Sequence, residues 1–205
     1  MNKSRLLGAV CACLAAVSFN VSASLITSDS APALTGSTVI NFDGLPTLDT
    51  PSIGFGDVTF STSSGQLRIA PYTEGGGSYG TSGQDLSTRN TINPSSFTIN
   101  FASPVSAFGM VWGAANPDWT VDLYDSSDNL LESLAFIGGD STASYTEFYG
   151  ASINGISRVE LATTTQDWVK IDNFEYVSSV PIPAAFWLFG SGLLGLIGMA
   201  RCRTV

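Results

Sequence analysis

The sequence predicts an all-β protein: an antiparallel β-sandwich of jelly-roll-like form, flanked by an N-terminal signal helix and a C-terminal transmembrane helix. Three observations carry this expectation. Apolar residues in the middle of the chain recur with period two in short runs, and no 3.6-residue periodicity persists beyond about two turns. Ser, Thr, Gly, Asn and Asp fill the intervals between the runs, and these are the residues that turns require. The two ends differ from the middle, each carrying an uncharged apolar stretch beside basic residues.

Residues 1–23 have the composition of a secretory signal. Lys3 and Arg5 supply the positive start, Leu6 to Val17 the apolar stretch, and Val21-Ser22-Ala23 the small residues of a cleavage site, which places the cut between Ala23 and Ser24. Cys13 raises a lipoprotein alternative, but Val10-Cys11-Ala12 before it is a poor lipobox. Residues 24–37 are polar and are expected to form a flexible lead-in.

The sandwich is expected over 38–177. Val39 to Phe42 forms a first strand, ending at the Asp43-Gly44 turn. Gly56 to Ser61 and Gln66 to Ala70 follow, the latter closed by Pro71. Tyr72 to Asn90 is the longest loop, carrying Gly75, Gly76, Gly77, Gly80 and Gly83. Ser96 to Phe101 alternates, with Phe97, Ile99 and Phe101 on one face, and Val105 to Trp112 is apolar enough to be buried on both sides. Trp119 to Tyr124 points Trp119, Val121 and Leu123 inward. It forms a hairpin with Leu130 to Ile137, which carries Leu130, Leu134 and Phe136 on one face, through the turn Asp125-Ser126-Ser127-Asp128-Asn129. Tyr145 to Gly150, Ile156 to Ala162 and Trp168 to Val177 complete the set.

Residues 178–205 form the tail. Val180-Pro181-Ile182-Pro183-Ala184-Ala185 leads into an uncharged run, 184–200, which as a helix would span about 26 Å at 1.5 Å per residue, near the thickness of a bilayer's hydrocarbon core. Pro181 and Pro183 fit only its first turn or the residues before it. Trp187 suits the outer interface, and Arg201 and Arg203 in the basic end 201–203 suit the cytoplasmic side.

This ordered tail resembles the PEP-CTERM sorting signal of Gram-negative bacteria. The resemblance rests on Val180, Pro181, Pro183, Ala184 and Ala185, then Trp187 to Leu196, then Arg201 and Arg203. Ile182 stands where the Glu that names the motif would be, and Cys202 interrupts the basic cluster. The resemblance implies a processing enzyme of exosortase type, a membrane-embedded cysteine transpeptidase-like protein. The chain would pass signal peptidase, reside transiently in the inner membrane, and reach the cell surface or extracellular polysaccharide matrix. The segment from Pro104-Val105-Ser106 through Leu123-Tyr124-Asp125 to Ile171-Asp172-Asn173-Phe174 also looks like the β-sandwich domains found on PEP-CTERM proteins, which resemble carbohydrate-binding modules in outline.

Composition narrows the chemistry. All 17 acidic residues lie between Ser24 and Val180, against four of the eight basic ones (Arg68, Arg89, Arg158 and Lys170), so that segment carries 4 − 17 = −13. Such a charge disfavours nucleic acid and anionic membranes as partners. The chain has no His, and its cysteines are Cys11, Cys13 and Cys202, all outside the central segment. His-dependent triads, His-based zinc sites and thiol nucleophiles are therefore excluded from that domain. Paired carboxylates of glycosidase type remain open, but Glu132, Glu160 and Glu175 fall at strand positions expected to face solvent. The expectation is a non-enzyme, with no required cofactor.

Two ligand hypotheses follow. Calcium suits carboxylate and carbonyl oxygens. Its candidate ligands are Asp43 and Asp172, at the ends of the first and last strands, and Asp125 and Asp128 in the hairpin turn; ordinary turn chemistry is the alternative in both places. A sugar suits exposed aromatic rings, for which Tyr72 and Tyr79 on the Gly-rich loop are the candidates. Trp112 and Trp119 flank apolar strands and are expected in the core. The functional expectation is a non-enzymatic exported protein sorted to the surface or matrix. The alternatives are a carbohydrate-binding module, with or without calcium, and a permanently membrane-anchored protein on the periplasmic side.

Overall fold

Apolar alternation becomes strands, and the strands pair throughout in antiparallel fashion. The computed structural model describes residues 22–73, 82–88, 96–139 and 146–179. Among them lie β1 (Ser24–Ile26), β2 (Thr38–Ile40), β3 (Leu48–Thr50), β4 (Ser52–Phe55), β5 (Val58–Ser61), β6 (Leu67–Pro71) and β7 (Gln84–Ser87). The longer elements follow: β8 (Ser96–Gly113), β9 (Trp119–Tyr124), β10 (Leu130–Phe136), β11 (Thr146–Ala162) and β12 (Lys170–Ser178). The main path is β10-β9-β11-β8-β12-β7-β6-β3, with β1 on β11, β2 on β12, and β5 joining β4 to β8. The fold is thus all-β and antiparallel, consistent with a β-sandwich.

The two long strands organise it. The sequence suggests separate strands at Ser96–Phe101 and Val105–Trp112, but β8 runs through both, with Ala102, Ser103 and Pro104 exposed at the join. Phe97 and Trp112 stand 15 residues apart, about 50 Å along an extended strand. Their ring centroids are 6.3 Å apart, and those of Phe101 and Phe108 are 6.4 Å apart. The strand therefore doubles back, and its halves face each other across the core. β11 accompanies it. Its second half pairs with the first half of β8 from Arg158↔Asn100 to Ala162↔Ser96, and its first half with the second half of β8 from Thr146↔Gly113 to Ser152↔Ala107. The register breaks at Ile156, beside Gly155, whose φ of +91° an L side chain would resist. One layer is then β10, β9 and the distal half of β11 with the proximal half of β8, β5 and β4. The other is β1 and the proximal half of β11 with the distal half of β8, β12, β2, β7, β6 and β3.

Between them lies an aromatic-rich core. Phe60 meets Phe174 edge-on at 5.1 Å, Trp112 meets Trp119 at 5.6 Å and Phe136 stacks on Tyr149 at 4.9 Å. Each such pair contributes about 0.5–1.5 kcal/mol beyond the area it buries. Trp112 and Trp119 are fully buried, as their apolar neighbours in sequence imply.

Several expectations need correction. Residues 24–37 are not a loose lead-in: β1 pairs with Gly150–Ser152, and Pro32–Leu34 forms a 3-10 turn. Ile26 and Leu34 are buried there against Ala107, on the outer face of the layer. The expected loop from Tyr72 to Asn90 contains β7, whose Ser87 and Leu86 pair with β12. β3 and β4 lie between the expected first and second strands, and both are too short for alternation to announce. Leu130 is exposed while Phe136 is buried, so the expected common face of Leu130, Leu134 and Phe136 breaks where a register shift separates Leu130 from Glu132. The proposed signal segment before residue 22 and the tail residues Val180, Pro181, Pro183, Ala184, Ala185, Arg201 and Arg203 lie outside the described residues. Among the described residues no helix is long and apolar enough to cross a membrane.

Candidate functional site

Strand alternation turns Phe108, Met110 and Trp112 toward the core and Ala107, Gly109 and Val111 to the outer face of the layer. Cross-strand register then sets one outer row: Val39 beside Glu175, Glu175 beside Gly109, and Gly109 beside Gly150. In the next row Phe148 stands beside Val111. A Cβ on Gly109 would stand 2.6 Å from Phe148 Cζ, so the absent side chain is what lets the ring lie over the sheet. The segment 24–37 covers part of this face. Its end is tied down by Ser37 Oγ, which donates to Glu175 Oε2 at 2.5 Å.

Where the cover stops, a cleft of about 460 Å³ remains, lined by Asp29, Ser30, Val39, Val111, Phe148, Asn173 and Glu175. It combines an apolar floor with polar walls. β12 makes room for it through a bulge between Asp172 and Glu175, where Asn173 takes φ +45° and is exposed. Glu175, expected in solvent, is 8% exposed. It does point away from the core, as alternation requires, but the covering segment buries the outer face as well.

The candidate calcium ligands have other partners. Asp43 and Asp172 do converge, on either side of the Ser82–Gln84 segment. Asp43 Oδ1 accepts the Gln84 N–H at 2.9 Å. Asp172 accepts the Ser82 N–H at 3.1 Å through Oδ2 and the Asn173 N–H at 2.7 Å through Oδ1. Burial pushes the Asp172 carboxyl above the usual aspartate range, with Asp43 and Asp85 adding repulsion and the two N–H groups opposing. In the hairpin turn, Asp125 accepts the N–H of Ser127 and both the N–H and side-chain amide of Asn129, at 2.8–3.0 Å. The Asn129 amide is the largest cause of its lowered pKa. Asp128 (φ +60°) ion-pairs with Arg158 at 3.1 Å. Asp125 thus closes the hairpin turn, and Asp128 ties it to β11. No group of three His, Cys, Asp or Glu among the described residues is placed to hold a metal.

Of the aromatic candidates, Tyr72 is 37% exposed at the end of β6, and Tyr79 lies outside the described residues. Tyr72 is absent from the cleft lining, and its carbonyl accepts a hydrogen bond from Lys170 Nζ at 2.7 Å. Ala23 and Ser24, the expected cleavage junction, lead into β1, where Ser24 pairs with Ser152. Among the described glutamates, Glu132 accepts Ser22 Oγ at 2.9 Å, and Glu160 ion-pairs with Arg158.

Two buried polar clusters went unread in the sequence. Lys170 and Asp85 form an ion pair at 2.7 Å with both side chains 1% exposed. Asp167 accepts Trp119 Nε1 at 3.0 Å and two N–H groups of Asn116 at 3.1 and 3.2 Å. A lone lysine within an apolar strand was the available signal for the first, and a core tryptophan needing an acceptor for the second.

No family model and no curated protein matches the chain. Solved structures similar to it include a mutant of the family 29 carbohydrate-binding module CBM29-2 (10% identity, 78% of this chain and 99% of that one, TM-score 0.37). Another is CBM29_1 from Piromyces equi (9%, 78% and 93%, TM-score 0.32). A family 6 carbohydrate-binding module is similar at 16% identity, 67% and 96% coverage and TM-score 0.33. These likenesses are too distant to carry an argument about the chemistry of this chain.

Proposed function

We propose that this chain is a non-enzymatic exported module that binds carbohydrate, on a domain of jelly-roll-like sandwich form. The observation that carries this reading is the outer-face cleft. Its volume of about 460 Å³ falls within the range of small-molecule sites. Phe148 and Val111 offer an apolar surface for the C–H face of a sugar ring. Asp29, Ser30, Asn173 and Glu175 offer acceptors and donors for hydroxyl groups. The absence of His from the whole sequence removes the commonest general acid–base group, which favours binding over turnover.

The test is a glycan array probed with the full-length protein in mild detergent. Binding that Phe148→Ala abolishes is expected. Signals at background across the array would overturn the reading.

The tail supports a route. Signal peptidase removes the N-terminal segment, and an exosortase-type enzyme processes the chain near the Pro181–Ala185 box, delivering it to the cell surface or polysaccharide matrix. Pulse-chase mass analysis tests this: an intact C-terminus that persists in the membrane pellet would instead establish the permanently anchored form.

A further inference from the structure

The cleft has a charge character that its size and ring do not imply. Two carboxylates line it, Asp29 and Glu175, and among the described residues no cation does. The described cations are committed elsewhere: Arg68 to Asp49 at 2.7 Å, Arg158 to Asp128 and Glu160, and Lys170 to buried Asp85. The surrounding domain adds a negative field, since the segment from Ser24 to Val180 carries −13. Glu175 is held by its bond from Ser37, so its carboxylate is preorganised rather than free to turn away. The Phe148 ring stands over Gly109 on the floor of the same cleft, and an aromatic face attracts cations. Two carboxylates beside an aromatic face, in a partly enclosed cleft, are the chemistry that recognises an ammonium group. The same field repels a uronate.

Resting on the carbohydrate reading above, we infer that the cleft selects an amino sugar with a free, protonated amine, over the N-acetylated sugar and over acidic sugars. The ammonium lies between Asp29 and Glu175. The ring's apolar face lies on Phe148, and Ser30 and Asn173 take hydroxyl groups. In a matrix polysaccharide, the units recognised are the deacetylated hexosamines.

The test is calorimetric titration of the full-length protein with four probes: glucosamine oligomers, their fully N-acetylated counterparts, glucose oligomers and oligouronates. Polyamine is added as a fifth arm, to separate sugar recognition from simple cation binding. The expected result is glucosamine oligomers at least about fivefold tighter than the N-acetylated and neutral oligomers at low salt. The preference should shrink toward unity in high salt, with no binding of uronates. Glu175→Gln keeps the shape and the acceptor for Ser37, and Asp29→Asn changes an exposed residue that leaves folding intact. Each should weaken glucosamine oligomers more than neutral oligomers, so that the ratio of the two affinities falls. Neutral oligomers binding as well as glucosamine oligomers would overturn this inference and leave the carbohydrate reading standing. No sugar binding in any arm would overturn both. Polyamine displacing glucosamine oligomers at equal amine concentration would overturn the sugar as the occupant.

Discussion

Breaking the Lys170–Asp85 pair should destabilise the domain more than most single changes. Lys170 Nζ sits 2.7 Å from Asp85 Oδ2, and each side chain is 1% exposed. Lys170 also donates to the Tyr72 carbonyl at 2.7 Å and lies 5.4 Å from the centre of the Trp168 ring. Asp85→Ala removes a carboxylate in direct contact with an ammonium that is 1% exposed. Removing one partner of a buried pair costs about 3–5 kcal/mol. For a domain of this size 1 kcal/mol moves Tm by about 2–4 °C, so the expected fall is about 6–20 °C. Total stability of about 5–15 kcal/mol can absorb such a loss, so the variant should still fold in the cold. Replacing both partners by apolar residues, Asp85→Leu with Lys170→Met, removes both desolvation penalties and should recover most of the loss. The assay is urea unfolding of wild type, Asp85→Ala, Asp85→Leu, Lys170→Met and the Asp85→Leu/Lys170→Met double variant, with the last three and wild type closed as a thermodynamic cycle. A loss below about 1 kcal/mol for Asp85→Ala, or a double variant as unstable as the singles, would refute the argument, because the pair would then be solvated or replaceable.

Other predictions follow from the same geometry. Gly150→Ala would bring a Cβ to 2.0 Å from the Phe108 carbonyl oxygen; backbone cannot yield as a side chain can, and we expect a loss of several kcal/mol or no folded protein on expression. Gly109→Ala meets only the Phe148 ring and the tip of Leu34, so we expect a loss of about 1–2 kcal/mol by thermal melting, with sugar binding lost as the ring is displaced. Asp167→Ala strands the Trp119 indole N–H in the core and should cost about 1–3 kcal/mol, read from the near-ultraviolet signal of the tryptophans on melting. Asp172 has its folded-state pKa raised by burial, so the folded protein holds a proton that the unfolded chain has already released. Its contribution is therefore fully present below the ordinary aspartate pKa and fades as pH rises through the raised value. Carbon-detected NMR titration should place its midpoint above that of an ordinary aspartate, and a midpoint at or below it would contradict the burial.

Much of the fold was legible because alternation is a local property. β9 runs from Trp119 to Tyr124, the bounds its alternation predicts, because a two-residue period needs only one buried face to be visible. The distal half of β8 was legible as largely buried, since its apolar run offers little to water, although Ser106 and Val111 on its outer face are only partly covered. The candidate site was much less legible. Asp43 and Asp172 do converge, but backbone N–H groups that the sequence could not place bond to Asp43 Oδ1 and to both oxygens of Asp172. Tyr72 was a reasonable exposed ring, yet the cleft formed around Phe148, which alternation could place only on an outer face. Glu175 read as solvent-facing for the same reason: alternation distinguishes the two faces of a sheet and does not say what covers the second.

The sequence by itself determined strand chemistry, the acidic and His-free inventory of the central segment, and the two end segments with their sorting-signal resemblance. Those are properties of residue type and short-range order. Tertiary structure alone decided that β8 doubles back to stack Phe97 on Trp112, and that Lys170 and Asp85, 85 residues apart, meet in the interior. It also decided that residues 24–37 fold over the outer face to leave a cleft against Phe148 and Glu175. The reason is common to all three: a period-two pattern specifies which way each side chain points, whereas a site depends on which distant segment arrives opposite it, and only the packed chain sets that.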